Sequence, residues 1–227
     1  MNLKDKIVVI TGVSKGFGKI IASSLKDEGM TVVISSHQED DLKKTADDLG
    51  VEYIVADVRE EVQVQDLSQQ VIDKFGRIDI WVNNAGVFYS FSKSDTVVDM
   101  EKANDMMQTN FFGTLYGCRT ALRKMESGLI VNILSTAALD STRAKDAKIY
   151  AASKWATRGY LQAIQAQNDH VKFLSVYPGG TKTDLYRHSK PDNYDDFMEP
   201  EYVIEKIVSN LKMDEPEAEL IIRRPKA

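Results

Sequence analysis

The chain has 227 residues, with 34 acidic against 29 basic side chains and a formal charge of −5. At roughly 150 residues per domain that is one full-sized domain, able to bury about 70% of its unfolded surface without a disulfide or metal staple. A mildly acidic surface lacks the basic footprint of a nucleic-acid binder. No apolar run approaches the ~18 residues of a membrane span, and a lone Cys118 with scattered histidines offers neither a disulfide framework nor a metal site. No signal-peptide pattern precedes the first apolar run, so a cytoplasmic globule is expected.

Two periodicities alternate from there on. Ile7-Val8-Val9-Ile10 is a continuous apolar run ending at Thr11-Gly12, and reads as a strand buried on both faces. Phe17, Ile20, Ile21 and Leu25 recur at helical spacing, with Gly29 at the stop. The second strand covers 31–34. Leu42, Thr45, Ala46 and Leu49 form the next helical stripe, closed by Gly50, before a strand over 51–55. Val64, Leu67, Val71, Ile72 and Phe75 mark a helix ending at Gly76, followed by a strand over 78–82. One long helix is predicted over 99–125, then a strand over 129–134, a helix over 150–167 and a strand over 171–176. A helix over 201–211 and a strand over 220–222 complete the pattern. Strands separated by helices this long must pair in parallel, and right-handed crossovers then wind helices onto both faces of one sheet. No polar linker interrupts the alternation, which predicts an α/β fold with a seven-stranded parallel sheet and a single domain over residues 1–227.

Longer irregular stretches, about 88–98, 138–148 and 184–199, each follow a strand. In open α/β sheets that is where ligand-site walls belong. The first strand-to-helix turn reads Thr11-Gly12-Val13-Ser14-Lys15-Gly16-Phe17-Gly18. Its glycines permit a sharp turn and close approach of a ligand, and the helix N-terminus behind them attracts a pyrophosphate. Such a turn can also be a mere packing device. Tyr150 and Lys154 are four apart on a predicted helix, hence on one face. An ammonium about 4 Å from the phenol, at an effective dielectric near 20, is worth roughly 4 kcal/mol, or about three pKa units. That predicts a phenol drawn toward neutral pH, although burial would oppose it.

These segments together resemble the short-chain dehydrogenase/reductase family over nearly the whole chain. TGVSKGFG resembles its TGxxxGxG turn, and Asn83-Asn84-Ala85-Gly86 its NNAG segment. TNFFG places a family-type Asn110, IVNILS supplies Ser135, and YAASK gives the Tyr150/Lys154 pair. YPGGTKTD resembles the Pro-Gly-x-x-x-Thr stretch at Pro178, Gly179 and Thr183. The resemblance implies a Rossmann-type, doubly wound fold and an oxidoreductase moving hydride between a nicotinamide and a carbonyl or secondary alcohol of a small molecule. It implies catalytic roles for Asn110, Ser135, Tyr150 and Lys154, with Asn110 holding a backbone kink and a water that connects Lys154 to solvent. It implies cofactor contacts from Gly12, Ser14, Lys15, Gly16, Phe17 and Gly18, from Asp57 and Val58 beside the adenine, and from Asn84, Ala85 and Gly86. Tyr150, Lys154, Pro178, Gly179, Thr181 and Thr183 would line the nicotinamide end. The positive charge of an oxidised nicotinamide there would help against burial in drawing the Tyr150 phenol toward neutral pH. No metal is implied. A catalytically silent NADP(H)-binding sensor or interaction protein on the same fold is the alternative, which retention of all four catalytic residues disfavours.

NAD recognition calls for an acid about 20 residues beyond the first glycines. Here Ser36 stands in that place, followed by His37, and Lys15 resembles the basic residue of NADP-preferring members. Glu39, Asp40 and Asp41 follow closely and would repel a 2′-phosphate if the turn placed them nearer; NADP(H) is expected over NAD(H), with NAD(H) as the alternative. Cys118 is expected to be a core or semi-buried thiol, His170 to lie on the surface, and Trp155 in the core or at a subunit contact. Arg143, Lys145 and Lys148, diluted by Asp140 and Asp146, read as a solvated loop. Phe17 departs from the family's small aliphatic residue. The C-terminal segment lacks the family's Gly-Gly element, so a homodimer or homotetramer is expected with the usual tetramer in doubt. Tyr186, Arg187, His188, Tyr194 and Phe197 are candidate walls in the substrate loop, about 184–199.

Overall fold

The short β-branched runs become strands because they fit a pleated surface covered on both faces. In the structure, a computed structural model that describes residues 2–14, 16–91, 99–143, 147–187 and 189–225, β1 (Ile7–Thr11) is buried at every position. It is joined by β2 (Thr31–Ser36), β3 (Glu52–Val55), β4 (Ile80–Asn83), β5 (Gly128–Ile133), β6 (Val171–Pro178) and β7 (Glu219–Ile222). The sheet order is β3-β2-β1-β4-β5-β6-β7, and every pairing is parallel. The crossover units are α1 (Phe17–Asp27), α2 (Glu39–Leu49), α3 (Glu61–Phe75), α4 (Met100–Met106), α5 (Gly113–Lys124), α6 (Lys148–Gln165) and α7 (Pro200–Lys212).

Side chains of β1 alternate between two cores, as the pleat requires. Val8 and Ile10 pack with Ile21, Leu25, Leu42, Val203 and Ile207 of α1, α2 and α7. Ile7 and Val9 face the other way, among Val64, Leu67, Val71, Cys118 and Leu161 of α3, α5 and α6. The chain first winds outward from β1 to β3, then returns to place β4 on the other side of β1. The crevice at this switch point, beyond the carboxyl ends of β1 and β4, is where such sheets bind ligands.

Several details differ from the sequence reading. The single helix expected over 99–125 is interrupted by a π-helical turn, Met107–Phe112, between α4 and α5. The interruption is stabilised from outside the segment, by hydroxyls and amides described below, so helical periodicity could not reveal it. Short 3₁₀ turns occupy parts of the expected loops, at Thr136–Ala138, Ser141–Arg143, Asp184–Tyr186 and Tyr194–Asp196. Trp155 is 42% exposed and so is not a core residue; the guanidinium of Arg158 lies 5.7 Å from its ring centre. Cys118 is fully buried, and His170 is exposed. Lys15, residues 92–98, the side chain of Arg143, Lys145, Asp146 and His188 lie outside the described residues.

Candidate active site

The strand ends at the switch point are laced together by side chains. The Asn84 amide donates to the carbonyls of Thr11 and Gly12 at 3.0 and 3.1 Å, which ties the end of β4 to the glycine turn after β1. Gly12 sits at φ +72°, and a Cβ there would come within 2.4 Å of the Ala85 backbone. Ala85 is thus packed beneath the turn. Gly16 at φ +61° precedes α1, whose first turn has no acidic residue and no side-chain cap. The leading N–H groups of α1 are left to an anion in the crevice. The turn is braced from α2, where the Thr45 hydroxyl donates to the Ser14 carbonyl at 3.0 Å.

A cleft of about 170 Å³, open to solvent, runs from this turn to the start of α6. Gly12, Ser14, Gly16, Phe17, Gly18, Asn84 and Gly86 line one end, and Ser135, Tyr150, Lys154, Pro178, Gly179, Thr181 and Thr183 line the other. Tyr150 enters in the first turn of α6 and is only 6% exposed. Its ring meets Phe88 edge-on at 5.3 Å. The Ser135 hydroxyl lies close enough to the phenol to favour its ionised form, and it accepts from the Ala137 amide at 3.1 Å. Lys154, one helical turn on and 5% exposed, donates from Nζ to the Ile133 carbonyl at 3.0 Å.

Burial sets the protonation of both groups. It pushes the Tyr150 phenol up to about 12, against the opposing effect of the Ser135 hydroxyl, and pulls the Lys154 ammonium down to about 8. The expectation of a phenol drawn toward neutrality by its neighbour is therefore corrected. Lys154 Nζ lies 5.7 Å from the centre of the Tyr150 ring and is held by a carbonyl of β5, so desolvation of the phenol prevails.

Asn110 lies in the π-helical turn and is completely buried. Its Oδ1 accepts from the Val87 amide at 2.9 Å, and its Nδ2 donates to the Val87 carbonyl and to Ser153 Oγ, both at 3.0 Å. The Asn110 carbonyl accepts from the hydroxyls of Thr114 and Thr157, at 3.0 and 3.1 Å. Asn110 is engaged on every side and does not line the cleft. It is nevertheless close to it: a Cβ on Gly86 would lie 3.4 Å from Asn110 Oδ1 and 3.8 Å from Lys154 Nζ. Ser153 and Thr157 were missed by sequence reasoning, although they sit three and seven residues after Tyr150 on its helix face. Asn83 is structural here, donating to Asn132 at 2.8 Å and accepting from the Trp81 indole at 2.8 Å.

The remaining predicted residues gather elsewhere. Ser36, His37, Asp57 and Val58 lie at the carboxyl ends of β2 and β3, outside the cleft that holds Tyr150. Ser36 is 6% exposed, with its hydroxyl accepting from the Gln38 amide at 3.3 Å. Burial raises the Asp57 carboxyl, but the bonds from Arg59 outweigh it and hold the group below the usual carboxylate range. That partner, 2.6 Å away at Nη2, was not anticipated.

The sequence profile of the short chain dehydrogenase family matches residues 6–193. An uncharacterised oxidoreductase of Bacillus subtilis is 31% identical over 91% of this chain and 62% of its own length; this chain thus spans less than two thirds of that relative. Another uncharacterised oxidoreductase, from Staphylococcus aureus, is 32% identical over 91% of this chain and 90% of its own. Among solved structures, an alcohol dehydrogenase from the archaeon Thermococcus sibiricus, complexed with 5-hydroxy-NADP, superposes with a TM-score of 0.87 at 26% identity, covering 99% of this chain and 100% of that one. The parallel sheet with its switch-point cleft is that of a Rossmann-like, nucleotide-binding oxidoreductase fold. The chain belongs to the short chain dehydrogenase family.

Proposed function

We propose that this chain interconverts a small-molecule carbonyl and its alcohol with a nicotinamide dinucleotide, NADP(H) in preference to NAD(H). The observation that carries the reading is the convergence of Ser135, Tyr150 and Lys154 on one cleft whose other end is an uncapped helix N-terminus. The residues fit a dinucleotide. Gly16 and Gly18 keep side chains away from the leading amides of α1, and Gly86 leaves room in front of Lys154. Pro178, Gly179, Thr181 and Thr183 border the opposite wall. When bound, the reduced nicotinamide supplies a hydride.

The chain's own residues manage the substrate oxygen. With a pKa of about 12, Tyr150 is protonated at neutral pH and serves as the proton donor in the reductive direction. Ser135 donates a hydrogen bond to the oxygen as negative charge develops there. Lys154 opposes the charge left on the phenolate and is placed to meet a ribose hydroxyl. Asn110 acts as a positioning residue, since its bonds hold Val87 and the π-helical turn against α6.

The NADP(H) preference rests on Ser36. Ser36 puts a hydroxyl rather than a carboxylate at the end of β2, so that position neither binds a ribose 2′-hydroxyl as an acid would nor repels a 2′-phosphate; the acids Glu39, Asp40 and Asp41 in the first turn of α2 weigh against the preference. His37 is exposed beside Ser36, and the Thermococcus sibiricus relative holds an NADP derivative. Tyr150→Phe is expected to abolish turnover while leaving the NADPH Kd within about threefold of the parent. Normal turnover in that variant refutes the assignment of the proton donor. A larger thermal shift with NADH than with NADPH overturns the cofactor preference.

A further inference from the structure

On its substrate side the cleft is walled by Val87, Phe88, Tyr89, Leu134, Leu185 and Tyr186. Phe88, 7% exposed, stands between two tyrosines, with ring centres 5.3 Å from Tyr150 and 5.1 Å from Tyr186. Tyr186 is backed in turn by Phe197 at 5.3 Å and Tyr194 at 5.9 Å. Phe197 packs so closely on the backbone after β6 that a Cβ on Gly180 would come within 2.6 Å of its ring. The outer wall is therefore a stack of rings seated on a strand end, and its shape exists before any substrate arrives.

The Tyr89 hydroxyl of this wall is already engaged. The Tyr89 hydroxyl donates to Asp105 at 2.9 Å, and the other oxygen of Asp105 accepts from Arg59 at 2.9 Å. Tyr89 thus offers the cleft its ring rather than its donor. Ser135 and Tyr150 remain for a substrate oxygen. Of the charged groups lining the cleft, Lys154 is bonded to Ile133, while Asp184 and Arg187 lie at the exposed rim with opposite signs.

From this arrangement, and resting on the oxidoreductase reading above, we infer that the substrate is an uncharged carbonyl compound bearing an aryl or similarly flat apolar group on the carbonyl carbon. The flat group lies against Phe88 and Tyr186, where edge-on ring contacts add to the burial of apolar surface. A carboxylate on the carbonyl carbon would instead surrender its hydration among rings, while the buried Lys154 is bonded to the Ile133 carbonyl. α-Keto acids are therefore disfavoured.

Three ketones differing only at the groups in question test this with the full chain and NADPH. These are acetophenone, acetone (no aryl group) and phenylglyoxylate (a carboxylate in place of the methyl). The expected kcat/KM for acetophenone exceeds that for acetone by about fiftyfold and that for phenylglyoxylate by about a hundredfold. Phe88→Ala lowers the acetophenone-to-acetone ratio about tenfold and the bulkier Phe88→Leu about threefold, and using a ratio cancels any general loss of active protein. Acetone or phenylglyoxylate reduced as well as acetophenone, or a ratio unchanged in both variants, overturns the inference alone. A protein that binds NADPH yet reduces none of the three also overturns the inference, whereas the oxidoreductase reading falls only if no carbonyl compound in a wider panel consumes NADPH.

Discussion

Lys154 makes the folded protein less stable at neutral pH than an apolar residue would, and replacing it with methionine reveals the magnitude. Burial lowers its pKa from 10.5 to about 8, which at ~1.4 kcal/mol per tenfold corresponds to about 3 kcal/mol. The sign follows from proton uptake. Below pH 8 the folded chain must carry an ammonium it disfavours, so the full cost is present. Between pH 8 and 10.5 the folded state has released that proton while the unfolded chain still binds it, so stability rises with pH across this window. Lys154→Met removes the titration, along with one hydrogen bond to Ile133 worth about 1 kcal/mol. Urea denaturation should therefore find the variant more stable by about 2 kcal/mol at pH 7, with the advantage gone by pH 10. Tyr150 titrates in both proteins and drops out of the comparison. A stability difference that stays constant from pH 7 to pH 10 would refute the claim that desolvation governs this lysine. Activity should be lost in the variant at every pH, because the cation that opposes the phenolate charge is gone.

Two other substitutions probe the surrounding scaffold. Asn110→Leu leaves the amide and carbonyl of Val87 without their buried partners, and at about 1–3 kcal/mol for each orphaned group should lower the thermal midpoint by roughly 5–15 °C; an unchanged midpoint would show that the π-helical turn needs no such support. Gly86→Ala meets nothing closer than 3.4 Å and should change stability by less than about 1 kcal/mol. The same methyl group narrows the space before Lys154, so NADPH affinity measured by fluorescence titration should fall at least about tenfold; tight binding in this variant would mean that the dinucleotide does not pass there.

Much of the site was legible because it sits at the ends of recognisable strands. Gly12, Asn84, Ser135 and Thr181 each fall just past an apolar run, and a parallel sheet brings all such ends to one edge. The spacing of Tyr150 and Lys154 likewise placed them on one helix face. What escaped notice depends on partners far apart in the chain. Arg59 claims Asp57 and also Asp105, a residue on α4 that no local pattern connects with β3. Trp155 lies at a helical position compatible with burial, and only the packing of α6 shows that it faces outward.

Strand and helix identity, parallel pairing and the glycine turn were settled by the sequence itself, since hydrophobic period and backbone freedom are properties of a few adjacent residues. The π-helical turn was not, because Asn110 is held by Val87, Ser153 and Thr157 from elements that meet only after folding. Nor were the charge states of Tyr150 and Lys154. Their pKa values depend on how completely surrounding elements exclude water, and that exclusion arises only when the whole sheet and its helices have closed around them.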